Sequence, residues 1–186
     1  MATRSNRALW IVLALCAAPV IASYVAYYWI RPQARTNYGE LLAPRPAPEL
    51  RGTTLDGRPF ALSSLKGKWV LLQRDPGACV EPCQRRLYAS RQARTIQNTE
   101  AERIVRVWLL TDATPPDPRL VAAHPDLVRA RIEPGGASWL PRNEAGGDEL
   151  YLIDPLGNLM MRFPADPDIK AMAKDFGRLL KASRIG

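Results

Sequence analysis

Apolar residues are unevenly distributed along this chain. From Ala8 to Ile30 no residue is charged, in the run ALWIVLALCAAPVIASYVAYYWI. At about 1.5 Å rise per residue, a helix of this length exceeds the roughly 30 Å hydrocarbon core of a bilayer. The pattern predicts a transmembrane helix over 8–30, with a local bend available at Pro19, behind a short tail over 1–7. Residues 31–48 are polar and contain Pro32, Pro44, Pro46 and Pro48, which fix φ and favour extended backbone; they read as a semi-rigid spacer. A folded domain is expected over 49–186.

Within that domain strand and helix periods alternate. The segment from Thr53 to Leu62 carries an Asp56-Gly57 hairpin signal. Trp69-Val70-Leu71-Leu72-Gln73 is a short apolar run suited to a buried central strand. From Glu81 to Arg103 the composition is helical, with neither Gly nor Pro after Pro82. Ile104 to Leu110 reads as a second central strand, and a short helix is expected from Asp117 to Val128. Leu150–Ile153 and Leu159–Phe163 flank Asp154-Pro155-Leu156-Gly157-Asn158, a second hairpin signal. Asp166 to Ser183 places Ile169, Met172, Phe176, Leu179 and Leu180 on one helical face.

A right-handed crossover makes the first two central strands parallel, and the last hairpin adds antiparallel ones. The expected class is α/β: a thioredoxin-like mixed sheet with helices on both faces, preceded by one N-terminal transmembrane helix.

The apolar run outlasts the roughly 7–15 residues of a cleavable signal peptide. Leu13-Ala14-Leu15-Cys16 resembles a lipoprotein signal, but bulky Leu15 stands where a small residue is needed, so Cys16 reads as a small apolar residue in lipid. Arg4 and Arg7 before the span are matched by Arg31 and Arg35 after it, and charge alone leaves the orientation open. The short tail favours an outward domain, giving a single-pass inner-membrane protein with its C-terminal domain on the periplasmic side. The net charge of +8 falls to +6 without Arg4 and Arg7 (24 basic against 18 acidic residues). Those charges are interspersed, as in Arg103-Ile104-Val105-Arg106, with no basic run; nucleic acid is therefore not an expected partner.

Two of the three cysteines lie in Asp75-Pro76-Gly77-Ala78-Cys79-Val80-Glu81-Pro82-Cys83-Gln84, between the first central strand and the first long helix. An exposed thiol there meets unpaired N–H groups and the positive end of the helix dipole, which favour the thiolate. Arg85 and Arg86 would add positive potential and Glu81 would oppose it. The separation also suits a disulfide after small adjustment. Three readings stay open: a reactive or metal-binding pair, a structural disulfide, and two unrelated buried thiols. The lone His124 reads as a surface residue, and Met160 and Met161 as core and partner-face residues.

The apolar anchor, Gly67-Lys68-Trp69-Val70-Leu71-Leu72, Cys79-x-x-x-Cys83 and Tyr151-Leu152-Ile153-Asp154-Pro155-x-Gly157 together resemble the Sco/SenC family over roughly residues 48–183. Proteins of that family are thioredoxin-fold assembly factors for cytochrome c oxidase, delivering Cu(I) to its binuclear copper site or keeping that site's cysteines reduced. The resemblance implies catalytic roles for Cys79 and Cys83 and, if Cu(I) is bound, makes them its ligands. It also implies a histidine five residues before Tyr151, where this chain has Gly146. A peroxidase motif is incomplete, because Val80 stands where the Thr is required.

The leading expectation is a membrane-anchored, Sco-like thiol–disulfide and assembly factor supporting oxidase copper-site biogenesis. Its partner would be a respiratory oxidase subunit or another thiol protein. The alternatives are a Cu(I) metallochaperone without redox catalysis and a non-catalytic assembly partner with a degenerate site. If residues 8–30 are an uncleaved anchor, the protein stays in the membrane fraction after a carbonate wash and keeps its amino terminus. A mature chain starting near Ala17 or Ser23, or a diacylglycerol-modified Cys16, refutes that expectation.

Overall fold

The structure is a computed structural model and describes residues 6–29, 37–133, 135–141 and 149–183. The chain divides into two compact units, Met1–Thr36 and Asn37–Gly186. The first contains helix α1 (Arg7–Trp29), which includes Pro19. Among the described residues it is the one helix long and apolar enough to cross a membrane.

The second unit is built on an eight-stranded sheet of β1 (Glu40–Pro46), β2 (Arg51–Thr54), β3 (Pro59–Ala61), β4 (Trp69–Asp75), β5 (Ile104–Leu110), β6 (Leu127–Ile132), β7 (Leu150–Ile153) and β8 (Asn158–Phe163). Their order is β1-β8-β7-β4-β5-β6-β2-β3. β4, β5 and β6 are parallel neighbours and every other pairing is antiparallel. This is the expected mixed thioredoxin-like sheet.

β4 lies at the centre because both of its faces are covered, and all seven of its residues are buried. On one face Trp69, Leu71, Ile104, Leu152 and Met161 meet helices α2 (Glu81–Thr95) and α4 (Ile169–Ala182) through Ala89, Ala93, Met172, Phe176 and Leu180. On the other, Val70, Leu72, Val107, Leu109 and Tyr151 meet Leu62 of a one-turn 3-10 helix (Leu62–Leu65), Ala137 and Leu140.

Both expected hairpins form. In the second, the Asp154 carboxylate accepts the Leu156 N–H at 3.0 Å and the Asn158 N–H at 2.8 Å, and Gly157 supplies the φ of 92° that the turn requires. α4 starts at Asp168, whose carboxylate accepts the Ala171 N–H at 2.6 Å.

Several expectations are corrected. Glu40–Pro46, assigned from sequence to the 31–48 spacer, is an edge strand paired with β8. Pro44 and Pro46 are tolerated there because an edge leaves N–H positions outside the ladder. The helix expected over 81–103 ends at Thr95 and passes into a 3-10 helix, Asn98–Arg103, with Asn98 at φ 52°. The helix expected over 117–128 is only α3 (Pro118–Ala123), and Leu127–Ile132 is strand β6. Pro125 bars the helix from continuing, and Val128-Arg129-Ala130-Arg131-Ile132 alternates apolar and polar residues as a strand does.

Arg106 and His124 are buried, and His124 was expected at the surface. Arg106, 1% exposed, points Nε at Ser90 Oγ (3.1 Å), NH2 at the Leu87 carbonyl (2.7 Å) and NH1 at Asp126 (3.3 Å). Burial lowers its pKa to about 10, which still leaves it charged at neutral pH. His124 is 5% exposed and its Nδ1 has no hydrogen-bond partner. Burial first, then the positive charges of Arg106 and Arg91, push its pKa down to about 4.

A histidine held neutral in the native state and free to protonate at about 6.5 when unfolded favours unfolding as pH falls. The full-length protein is therefore expected to lose stability between about pH 6.5 and about pH 4, measured by the urea midpoint. This window lies above the range of Asp112 and Asp126, whose carboxyls sit below their usual value of 3.8. His124→Gln should flatten the pH 6.5-to-4 slope; an unchanged slope assigns it to other groups.

Candidate functional site

The polypeptide leaving the C-terminal end of β4 makes a tight loop before α2. Its Gly77 N–H donates to Asp112 Oδ1 at 2.8 Å, and Asp112 Oδ2 also takes the Thr114 hydroxyl at 2.8 Å. The Gly77 bond and the Thr114 bond hold the Asp112 carboxyl below its usual range. A Cβ on Gly77 would lie 1.8 Å from the Thr114 carbonyl oxygen, so the close approach of two backbones demands glycine. The Cys79 N–H donates to the Pro76 carbonyl at 3.1 Å, and Cys79 itself has a φ of 39°. α2 begins at Glu81, and the N–H of Cys83, its third residue, returns to the Val80 carbonyl at 2.9 Å. The loop cysteine and the helix cysteine come within 5.1 Å, Cα to Cα, and form a disulfide.

The expectation of an exposed thiol does not hold. Cys79 is 0% and Cys83 2% exposed, on a floor of Leu87, Trp108, Leu110 and Leu127. Nor do both sulfurs belong to the first helical turn, since Cys79 precedes the helix. The expected electrostatics change as well. Arg85 is 53% exposed at its side chain and approaches Glu81 and Asp166 at 3.7 Å each, a solvent-screened arrangement of little weight. Arg86 is buried and its charge is neutralised by an ion pair with Asp75 Oδ1.

Beneath the disulfide lies a polar group that sequence reasoning missed. Gln73, Asp75 and Arg86 are 2%, 3% and 4% exposed. Gln73 Nε2 donates to Asp75 Oδ2 at 2.7 Å and lies 3.3 Å from the Cys83 carbonyl oxygen and 3.4 Å from Cys83 Sγ. The backbone carbonyl of Asp75 takes the Trp108 indole N–H and the Thr111 N–H, each at 3.2 Å. The available signal was Gln73-Arg74-Asp75 itself: three polar residues closing a strand that is otherwise apolar.

Among the described residues, no group of three or more His, Cys, Asp and Glu side chains is arranged to hold a metal. Gly146, where the resemblance implies a histidine, lies outside the described residues. The soft donors that remain are the two cysteine sulfurs, which suit Cu(I) as thiolates, so reduction of the disulfide must precede metal binding.

A disulfide joining a strand-end loop to the start of a helix, at the centre of a mixed sheet, defines the class as thioredoxin-like. Residues 69–183 match the family model described as transmembrane-like, thioredoxin-like, C-terminal domain, and the chain belongs to that family. No curated protein matches the sequence. Among solved structures, apo Sco1 from Thermus thermophilus aligns with a TM-score of 0.64 at 21% identity, over 79% of this chain and 99% of that one. Copper-bound yeast Sco1 aligns with a TM-score of 0.64 at 14% identity, over 76% and 96%. The thioredoxin domain of a thiol-disulfide oxidoreductase from Bacteroides vulgatus gives 0.57 at 16%, over 75% and 99%. The fold thus agrees with the Sco/SenC resemblance read from the sequence, and a thiol-disulfide oxidoreductase shares it.

The Asp75–Arg86 pair generates a prediction about stability. Arg86→Ala leaves a buried carboxylate without its counter-charge and should destabilise the full-length protein by roughly 3–5 kcal/mol in chemical denaturation. Replacing both members, Asp75→Leu with Arg86→Met, should recover most of that loss. A double variant as unstable as the single one would place the cost in packing rather than in the unpaired charge.

Proposed function

We propose that this chain is a membrane-anchored thiol–disulfide and assembly factor for the copper site of cytochrome c oxidase. Its domain lies on the periplasmic side of the inner membrane and Cys79 and Cys83 are its reactive pair. The observation that carries the reading is the disulfide itself, which closes only four residues of sequence separation. Chain entropy gives so short a loop about 2 kcal/mol, less than the about 3 kcal/mol of a 15-residue loop, and the position of the bond between a strand end and a helix start supports a chemical role beside that. Its two ends are unequal. Cys83 is fixed in α2, whereas Cys79 sits on a loop that includes exposed Ala78 and can lift away from the floor. Val80 and Tyr88, 64% and 55% exposed, offer apolar contact for a polypeptide partner beside the loop.

In the exchange reaction a partner thiolate attacks Cys79 Sγ, the Cys79–Cys83 bond breaks, and its electron pair leaves on Cys83 Sγ. The partner's second thiolate then attacks its own sulfur in the mixed disulfide, forming the partner's disulfide and releasing Cys79 as thiolate. The reverse sequence, starting from the reduced pair, reduces a partner disulfide.

Copper favours a second reading, that of a Cu(I) carrier, because copper-bound structures are known for yeast and Bradyrhizobium japonicum Sco proteins of this fold. There Cu(I) is cargo on two thiolates, and with no third donor assigned the ion should yield to moderate chelators.

The test uses the full-length protein in detergent and in cells. The disulfide should exchange with dithiothreitol in a titratable two-electron equilibrium, followed by alkylation and mass measurement. Cu(I) should bind only after reduction, with a stoichiometry near one. A Cys79→Ala, Cys83→Ala double variant should fail to restore oxidase activity to a strain lacking the protein. Full restoration by that variant removes the thiol chemistry from the function and leaves a surface-borne assembly role. Exchange without copper binding removes the carrier reading alone.

A further inference from the structure

Gln73 is a buried side chain with an unexplained half. Its nitrogen makes every contact described above, while Oε1 is buried with no hydrogen-bond partner. An unsatisfied buried acceptor is a cost that an apolar residue of the same shape would avoid. The orientation of the amide is nevertheless fixed by chemistry. Asp75 Oδ2 at 2.7 Å and the Cys83 carbonyl at 3.3 Å only accept, so the NH2 group must face both, and it thereby faces Cys83 Sγ at 3.4 Å. Arg86 holds Asp75, and Asp75 holds the amide.

We propose that Gln73 is the hydrogen-bond donor for the leaving sulfur of the Cys79–Cys83 disulfide, directing attack to Cys79 and raising the reduction potential of the pair. The inference rests on the thiol-exchange reading above and adds to it the residue that makes the two sulfurs unequal. A disulfide sulfur is a weak acceptor, and a thiolate is a strong, charged one. One N–H of Gln73 is engaged by Asp75; the other is shared between the Cys83 carbonyl and Sγ. When a dithiol's thiolate attacks Cys79, negative charge develops on Cys83 Sγ, and the shared N–H strengthens toward it without any side chain having to move. Donors placed where charge will develop favour the step that develops it. The buried charges of Asp75 and Arg86 cancel as a pair, and Leu87, Trp108, Leu110 and Leu127 around the disulfide are apolar. No other described donor contacts Cys83 Sγ. Asp75 and Arg86 are positioning residues acting through the amide.

The experiment measures the redox equilibrium of the full-length protein in detergent against dithiothreitol couples at one fixed pH, together with the rate of reduction. Gln73→Met keeps the volume and removes the donor. It should shift the equilibrium toward the disulfide by about tenfold, which is about 30 mV to more negative potential, and slow reduction by a similar factor. Gln73→Asn retracts the amide and should shift it in the same direction by less; it carries the test if the Met variant does not fold. A packing role would lower the urea midpoints of the oxidised and reduced forms equally and leave the potential in place. A folded variant with an equilibrium within twofold of wild type overturns the role of Gln73 while wild-type exchange keeps the thiol reading intact. A wild-type disulfide that does not exchange at all overturns both.

Discussion

An ion pair at the C-terminal end of a central strand sets the terms for the site. Asp75 and Arg86 are each almost entirely out of water. Removing two charges from water is expensive, and their attraction offsets that only when the geometry is close and the remaining lone pairs are occupied. Here they are. Arg86 takes Oδ1, the Gln73 amide takes Oδ2, and the Asp75 backbone carbonyl takes the Trp108 indole and the N–H of Thr111. One residue therefore ties β4 to α2, to β5 and to the segment after β5, and the disulfide rests on the result. Apolar residues of similar volume would serve stability as well. What they would not supply is a defined orientation for the amide that meets Cys83.

How much of this was legible in the sequence depended on whether tertiary contacts agreed with local pattern. β4, β5, the Asp154–Asn158 hairpin and α4 were readable because their apolar period, turn residues and length all point one way. β6 carries the strict alternation Val128-Arg129-Ala130-Arg131-Ile132, but the helix expected over 117–128 ran into it. In the structure Arg129 NH1 donates to the His124 carbonyl at 3.1 Å, and Arg131 NH2 to the Ala113 carbonyl at 3.2 Å. β1 was hidden by prolines that only an edge position excuses. Burial of polar residues was the largest gap. His124 looks solvated in sequence, and both it and Arg106 lie inside beside Asp126, a partnership no local rule anticipates.

The cysteine pair was readable from its spacing and from its place between a strand and a helix. Its accessibility was not, because that depends on how the loop folds over the pair. The loop does so through a contact far apart in sequence, Gly77 against Asp112 and Thr114, and a nearer one, Gln84 Nε2 on the Cys79 carbonyl at 2.9 Å.

Burial of both sulfurs is compatible with the proposed exchange only if one of them can be uncovered, and the two are tethered differently. Cys83 is held by the helical backbone, by the Val80 carbonyl and by Gln73. Cys79 is held by its N–H on the Pro76 carbonyl and by Gln84 Nε2 on its own carbonyl, in a left-handed turn at φ 39° that costs a side-chain-bearing residue about 1 kcal/mol or more. Opening the loop relieves that strain, whereas moving Cys83 would break the first turn of α2. The same opening must release the Gly77 N–H from Asp112, whose depressed carboxyl reflects that bond. The exposed Ala78 can follow at little cost, whereas Val80, whose carbonyl takes the N–H groups of Cys83 and Gln84, stays with the helix. In the proposed exchange Cys79 is then the sulfur a partner reaches, and Cys83 is the one with a donor already facing it. Access and leaving-group stabilisation therefore select the same direction of attack, although one arises from the loop and the other from the strand beneath it.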